Sequence, residues 1–350
     1  MKVREIERHT MSAMAVLMTV MALSACSSID DDLSNCDNSY ELDYELRLVT
    51  NMTTELHTQL GMETNVQLAA NLRSHLGDIF TDFAHDVDLS FYDTSGDSVR
   101  LQHNEHIMDA NQSSYVLNLP MRQYMHLAVA NVVDNPVVGL TDDDRCHLSF
   151  LETTTADTIP SHTTGLFTAR LPMDVKEGID QTFNVRLYMA NCAATLLVDP
   201  RGHDVSNLRV YTTGFATKFN ICDSSYTFAA KSPIVETNKV ETNNDNELCY
   251  VSVNFPSREP KITRSVIETT EPFIAQEGDE TLWQFIIYIT NADGTVTKTI
   301  LSLRQPLRAG QLKIIKGYVT EEGAVHTSDQ TVGVNVTLDW KEGSHHDIPL

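Results

Sequence analysis

The chain has 350 residues, 48 of them acidic against 25 basic, a net charge of −23 at pH 7 and a hydrophobic share of 41%. That is enough length and apolar material for about two domains with cores of their own. The charge argues against a nucleic-acid partner, which needs clustered Lys and Arg against phosphate, and against docking of the folded surface on anionic headgroups.

In chain order, Lys2, Arg4 and Arg8 form a basic start, and residues 11–25 carry no charge and are mostly apolar. The run is shorter than the roughly 20 apolar residues that span a bilayer. It reads as a signal peptide over 1–25. Leu23-Ser24-Ala25-Cys26 resembles the lipobox of bacterial lipoproteins. The resemblance implies cleavage before Cys26, with its thiol carrying a diacylglyceryl group and its new amine acylated. A thiol suits alkylation because its thiolate is a strong nucleophile, and more than one acyl chain gives stable anchoring. Ser27 fits outer-membrane sorting, and Asp30-Asp31-Asp32 resembles the surface-export signal of Bacteroidetes lipoproteins. Residues 26–38 are thus expected to be an acidic lipidated linker.

Leu42, Tyr44, Leu46 and Leu48 alternate with Glu41, Asp43, Glu45 and Arg47, the period of a strand with one buried face. A helix is expected over 63–80, where Val66, Ala69, Leu72, Leu76, Ile79 and Phe80 recur at helical spacing and Gly77 is a blemish. Strands are expected at 87–91, 115–120 and 125–133, with a turn at 94–97. Residues 138–161, polar and rich in Thr and Asp, read as a long loop or an excursion, and 166–173 as a closing strand. The stretch 176–180 looks like a domain boundary.

Beyond it, Phe183, Val185, Leu187 and Met189 alternate, and 193–198 is an apolar strand. Shorter strands are expected at 208–213 and 226–229, while 237–246 shows no pattern. Strands follow at 249–255, 282–290, 296–303, 312–319 and 332–340. Asn291-Ala292-Asp293-Gly294 makes the pair around it a hairpin. The last strand places Val332, Val334, Val336, Leu338 and Trp340 at alternating or near-alternating positions of one run. The whole reads as mainly β: two sandwiches over 39–178 and 179–341, one helix in the first, and a polar tail over 342–350. No βαβ rhythm appears, so parallel pairing is not expected.

No nucleophile elbow, phosphate loop, dinucleotide fingerprint or zinc-protease motif occurs, and no cofactor or metal site is expected. His103 and His106 fall in what reads as a turn between strands, and His345 and His346 lie in the polar tail. Five cysteines remain beside Cys26: Cys36, Cys146, Cys192, Cys222 and Cys249. An odd number leaves a thiol unpaired. The spacings allow a Cys36–Cys146 link, a pair among the last three, or burial as small hydrophobes. Asp97-Ser98-Val99 and Asp157-Thr158-Ile159 resemble the O-glycosylation triplet of Bacteroidetes, which would place sugar on Ser98 or Thr158.

The opening 26–36, running into Tyr40-Glu41-Leu42-Asp43-Tyr44-Glu45-Leu46, resembles the fimbrillin-associated anchor lipoproteins of Bacteroidales, the FimB-like family. The resemblance continues through Asp86-Val87-Asp88-Leu89-Ser90-Phe91-Tyr92, residues 125–131 and Val336-Thr337-Leu338-Asp339-Trp340, and is weakest over about 237–280. It implies two tandem transthyretin-like sandwiches without enzymatic activity. Such a protein sits at the base of a fimbria, holds it to the outer membrane, limits its length and binds a stalk subunit. Stalk subunits of that family polymerise by strand exchange after an Arg-directed protease removes a leading strand. Here residues 27–46 contain no Lys or Arg, and Arg47 is the first. The strand over 331–340 is the expected partner contact. The alternative is a surface lipoprotein that binds glycan or host protein, an adhesin or glycan-binding module, on the same sandwiches.

Overall fold

The computed structural model describes residues 39–49, 66–80, 84–96, 99–108, 113–177, 179–205, 207–241, 247–259, 281–291 and 293–339. Cys26 and the segments around it, Cys36, Ser98, Trp340, His345 and His346 lie outside the described residues. In the first part, β1 (Ser39–Val49) precedes helix α1 (Val66–Ile79). Then come β2 (Asp86–Asp93), β3 (Arg100–Met108), β4 (Ser114–Pro120), β5 (Gln123–Ala130), β6 (Val138–Thr141), β7 (Phe150–Thr153), β8 (Thr158–Ile159) and β9 (Phe167–Asp174). The chain continues with β10 (Thr182–Met189), β11 (Cys192–Asp199), β12 (Arg209–Thr213), β13 (Lys218–Asn220), β14 (Ser225–Thr227), β15 (Ile234–Glu236) and β16 (Asn238–Val240). It closes with β17 (Leu248–Asn254), β18 (Trp283–Thr290), β19 (Val296–Leu303), β20 (Leu312–Val319), β21 (Val325–Thr327) and β22 (Val332–Asp339). No helix among the described residues is long and apolar enough to cross a membrane.

The first sheet runs β3-β2-β5-β9-β10-β1-β4 and folds over on itself. Strands β5 and β1 are three spacings apart in that order, about 14 Å if the sheet were flat. Yet the Tyr44 hydroxyl of β1 lies 2.7 Å from His126 Nε2 of β5. The bend falls between β9 and β10, which are paired only at Tyr188↔Thr168 and Met189↔Phe167. The halves β3-β2-β5-β9 and β10-β1-β4 therefore form the two layers of a sandwich. Leu42, Tyr44 and Leu46 from β1 meet Leu89, Phe91 and Ala128 in one core. Helix α1 adds Leu72 and Leu76 to it, one turn apart on a single face. Nothing lies within 4 Å of where a Cβ at Gly77 would stand, so no close packing there requires glycine.

The second sandwich packs β22-β19-β18-β12-β15-β8 on β16-β17-β11-β20-β21. Its core holds Trp283, Phe285, Ile287, Leu301, Leu196 and Ile315. Strand β11 is buried on both faces: Cys192, Ala194, Leu196 and Val198 face this core, and Ala193 and Leu197 join the first one. That accounts for its apolar run, broken only by Thr195. Asn71 of α1 donates to the Glu241 carbonyl at 2.6 Å, tying the helix to the second half.

Three expectations are corrected. The boundary at 178/179 does not separate the sheets: β10 pairs in parallel with β1 over Asp43↔Thr182 to Val49↔Tyr188. Residues 138–161 are an excursion rather than a loop and carry β6, β7 and β8, and 238–240 form β16. Strands β6 and β7 join β13 and β14 in a four-stranded sheet drawn from both halves of the chain. This sheet shares a core with Leu127 and Val129. Parallel pairing also occurs, in β1·β10, β11·β20 and β15·β8. The crossovers between these partners run through other strands as well as α1, so no βαβ rhythm marks them.

Candidate functional site

Strand β22 is the outermost strand of its sheet and pairs with β19 from Leu303↔Val332 to Val296↔Asp339. Its other side meets no strand among the described residues, so a row of backbone N–H and C=O groups stays open to another chain. The register puts Val332, Val334, Val336 and Leu338 opposite Leu303, Leu301, Thr299 and Thr297, the inward row of β19. Cover then falls away along the strand: Val332 is 7% exposed and Val334 37%. The facing sheet ends in the three-residue β21, whose Val325 N–H donates to Thr299 Oγ1 at 3.1 Å. A cavity of about 510 Å³ opens beside the start of β22, with Trp283, Leu303, Leu312 and Thr331 in its lining.

The other edges differ. Strands β6, β8, β14, β16 and β21 have two to four residues. Strand β3 carries Arg100 and Glu105, and its register with β2 shifts at Phe91/Tyr92. Shortness, charge and a bulge all discourage strand addition. Strand β4 is a second open edge, uncharged, with Val116 57% exposed. Alternation marks it as a strand, but edge status depends on which strands pair, and no local sequence signal reports that.

Strand β1 is bonded on both sides, to β10 and β4. Its groove is filled by Leu42, Tyr44 and Leu46, all under 7% exposed. Arg47 lies just past the stretch paired with β4, opposite Arg186 of β10. His126 Nδ1 lies 3.0 Å from the Ser90 carbonyl and must carry the proton that it donates there; Nε2 then accepts from Tyr44. Complete burial pushes the His126 pKa down to about 4.

Arg170 and Arg186 line a cleft of about 450 Å³ with Pro172, Tyr188, Phe219 and Tyr226. Among the described residues Arg47, Arg170 and Arg186 have no ion-pair partner, in a chain of net charge −23. Tyr188 is 57% exposed. Cationic forks beside an open aromatic ring suit an anionic or sugar ligand. This site was not legible in sequence, since its residues come from three sheet segments.

The remaining candidates separate. His103 and His106 lie in β3, not in a turn. An odd spacing in a strand puts them on opposite faces. His106 Nδ1 is 2.7 Å from Asp88, and the His103 ring centroid is 5.9 Å from that of Phe91. Among the described residues no three His, Cys, Asp or Glu side chains converge as a metal site. The Thr158 hydroxyl is buried without a partner, so no glycosyltransferase reaches it in the folded chain. Cys192 and Cys249 belong to different cores and are not partners. Cys146 instead meets Cys222, across the halves, with sulfurs 2.6 Å apart.

No family model matches the chain, and no curated protein matches it in sequence. Solved structures resemble it. A candidate adhesin from Bacteroides ovatus is 11% identical with a TM-score of 0.50, over 87% of this chain and 97% of that one. A candidate polysaccharide-binding protein from Bacteroides thetaiotaomicron is 10% identical, TM-score 0.49, over 83% and 98%. The fimbrial anchor protein Mfa2 of Porphyromonas gingivalis is 11% identical, TM-score 0.46, over 86% and 97%. The likeness to the first is one of fold.

Proposed function

We propose that this protein is an outer-membrane lipoprotein, held by lipid on Cys26 and exposed at the cell surface, that anchors a fimbria by binding its stalk subunit without chemistry. The observation that carries the reading is β22: a full-length open edge whose inward Val334 is left uncovered, with a cavity at the start of the strand. An extended segment of the stalk subunit adds to this edge, with main-chain bonds for affinity and apolar side chains seated near Val334 for register. Strand β1 supports the anchor role. Proteases bind substrate as an extended free strand, and Arg47 is paired with β10 in a strand whose preceding residues, 43–45, are bonded on both sides. The first strand therefore stays with its tether, the groove that it fills stays closed, and polymerisation stops at this subunit. The two sandwiches are of the transthyretin-like kind.

Deletion of the gene tests this. Fimbriae should appear in the medium and be longer than normal; fimbriae that stay cell-bound at normal length overturn the reading. A second reading, surface binding of an acidic glycan, is favoured by the cleft with Arg170, Arg186 and exposed Tyr188. It requires glycan-array binding that Tyr188→Ala abolishes.

A further inference from the structure

We propose that Cys146 and Cys222 form a disulfide in the mature protein and that this bond clamps the two halves of the chain together through the four-stranded sheet. The two sulfurs lie 2.6 Å apart although 76 positions separate the residues. Cys146 begins the short helical turn 146–148 between β6 and β7, and Cys222 follows β13. The surrounding backbone fixes their approach. Strand β13 pairs with β7 at Asn220↔Phe150, the Ile221 N–H donates to the Ser149 carbonyl at 3.1 Å, and Asn220 Nδ2 donates to the His147 carbonyl at 2.9 Å. The meeting of the thiols is thus set by the sheet on both sides, not by one freely turning side chain.

A shared metal is the other use for two close thiols. It needs further ligands, and none converge among the described residues. Cys146 is 3% exposed, while Cys222 is half-buried and open to reagents. The chemistry balances with a protein dithiol oxidase in its disulfide form. The Cys222 thiolate attacks one oxidant sulfur, giving a mixed disulfide and releasing the oxidant's other thiol. Cys146 then loses its proton and attacks Cys222 Sγ, closing the bond. The oxidant leaves as a dithiol, having gained two electrons and two protons.

The bond has a mechanical consequence, and this clause alone rests on the proposed anchoring. Tension between the tether at the amino end and β22 at the other passes along the chain. A link from 146 to 222 removes the intervening residues from that path. They include β9, β10 and β11, which build both sandwiches.

The test is a non-reducing peptide map of the detergent-extracted full-length protein after alkylation of free thiols. A Cys146–Cys222 linked peptide is expected; both cysteines recovered alkylated, or either joined to Cys36, overturns the proposal. A second measurement pulls single molecules from their ends. The 76 bridged positions hold back on the order of 260 Å of extended chain. The oxidised protein should therefore unfold to a contour shorter by about that length than the reduced protein or Cys222→Ser; equal contours refute the clamp. Neither result depends on whether the protein holds a fimbria.

Discussion

Mild acid should destabilise this protein well before its carboxylates titrate, because two histidines are sealed in its interior. His126 and His162 are each 1% exposed or less, and burial lowers their pKa values to about 4 and about 3 from 6.5. His126 has Tyr44, the Ser90 carbonyl and the stacked ring of Phe91 around it, and no carboxylate bonded to it to favour the charged form. His162 packs edge-on against Phe255, and its Nδ1 has no partner. Both folded values lie below the unfolded value, so as pH falls below 6.5 the unfolded chain takes up protons that the folded chain refuses. Stability is complete above that point and is lost as pH falls toward 4 and 3. At pH 5 linkage gives about 2 kcal/mol for each histidine, about 4 kcal/mol together. That is a large share of a total of about 5–15 kcal/mol. Half-buried His75 shifts in the same direction. Asp86, whose pKa burial raises, opposes them, while Asp93 and Asp329, whose pKa values are lowered, act only below about 4. The assay is urea unfolding at pH 7 and pH 5, followed by tryptophan fluorescence, for the wild type and His126→Gln/His162→Phe. The double variant starts weaker but should lose about 4 kcal/mol less between the two pH values. Equal losses would refute the reasoning.

Three further outcomes are expected. Cys26→Ala should leave the protein in the soluble fraction after lysis, and retention in the outer membrane would contradict lipid anchoring. Val334→Lys, at a site 37% exposed, should cost under about 1 kcal/mol of stability. It should nevertheless weaken fimbrial attachment roughly tenfold, scored by electron microscopy, since a lysine on an open edge discourages strand addition. Thr195 is fully buried with its hydroxyl unpartnered. Thr195→Val should raise the unfolding free energy by about 1 kcal/mol, read from urea unfolding, because a stranded polar group is replaced by a methyl of the same shape.

The legible parts of the fold were those with a local cause. Period-two alternation located β1, β4, β10, β18 and β22, the turn after β18 located β19, and helical spacing located α1. The buried Trp283 sits where its strand pattern put it. The segment 138–161 misled because its strands have two to four residues each and gain cover from β13 and β15, which lie far along the chain. The stretch 176–180 gave no sign that β10, which follows it, returns beside β1 in the first sheet. Of the candidate contact, the alternation of Val332, Val334 and Val336 was readable, and its place at an open edge was not. The cleft at Tyr188 and the meeting of Cys146 with Cys222 depend on how sheets close, which no spacing reports.

The central claim is that β22 is the contact with the fimbrial stalk. The most direct measurement places a photo-crosslinking residue at Asn335, exposed on β22, or at exposed Asp180 as a control, in the full-length protein on living cells. The account predicts a light-dependent adduct from position 335 that mass spectrometry identifies as a stalk subunit, and none from position 180. No stalk adduct at 335, or equal adducts at both positions, would contradict it.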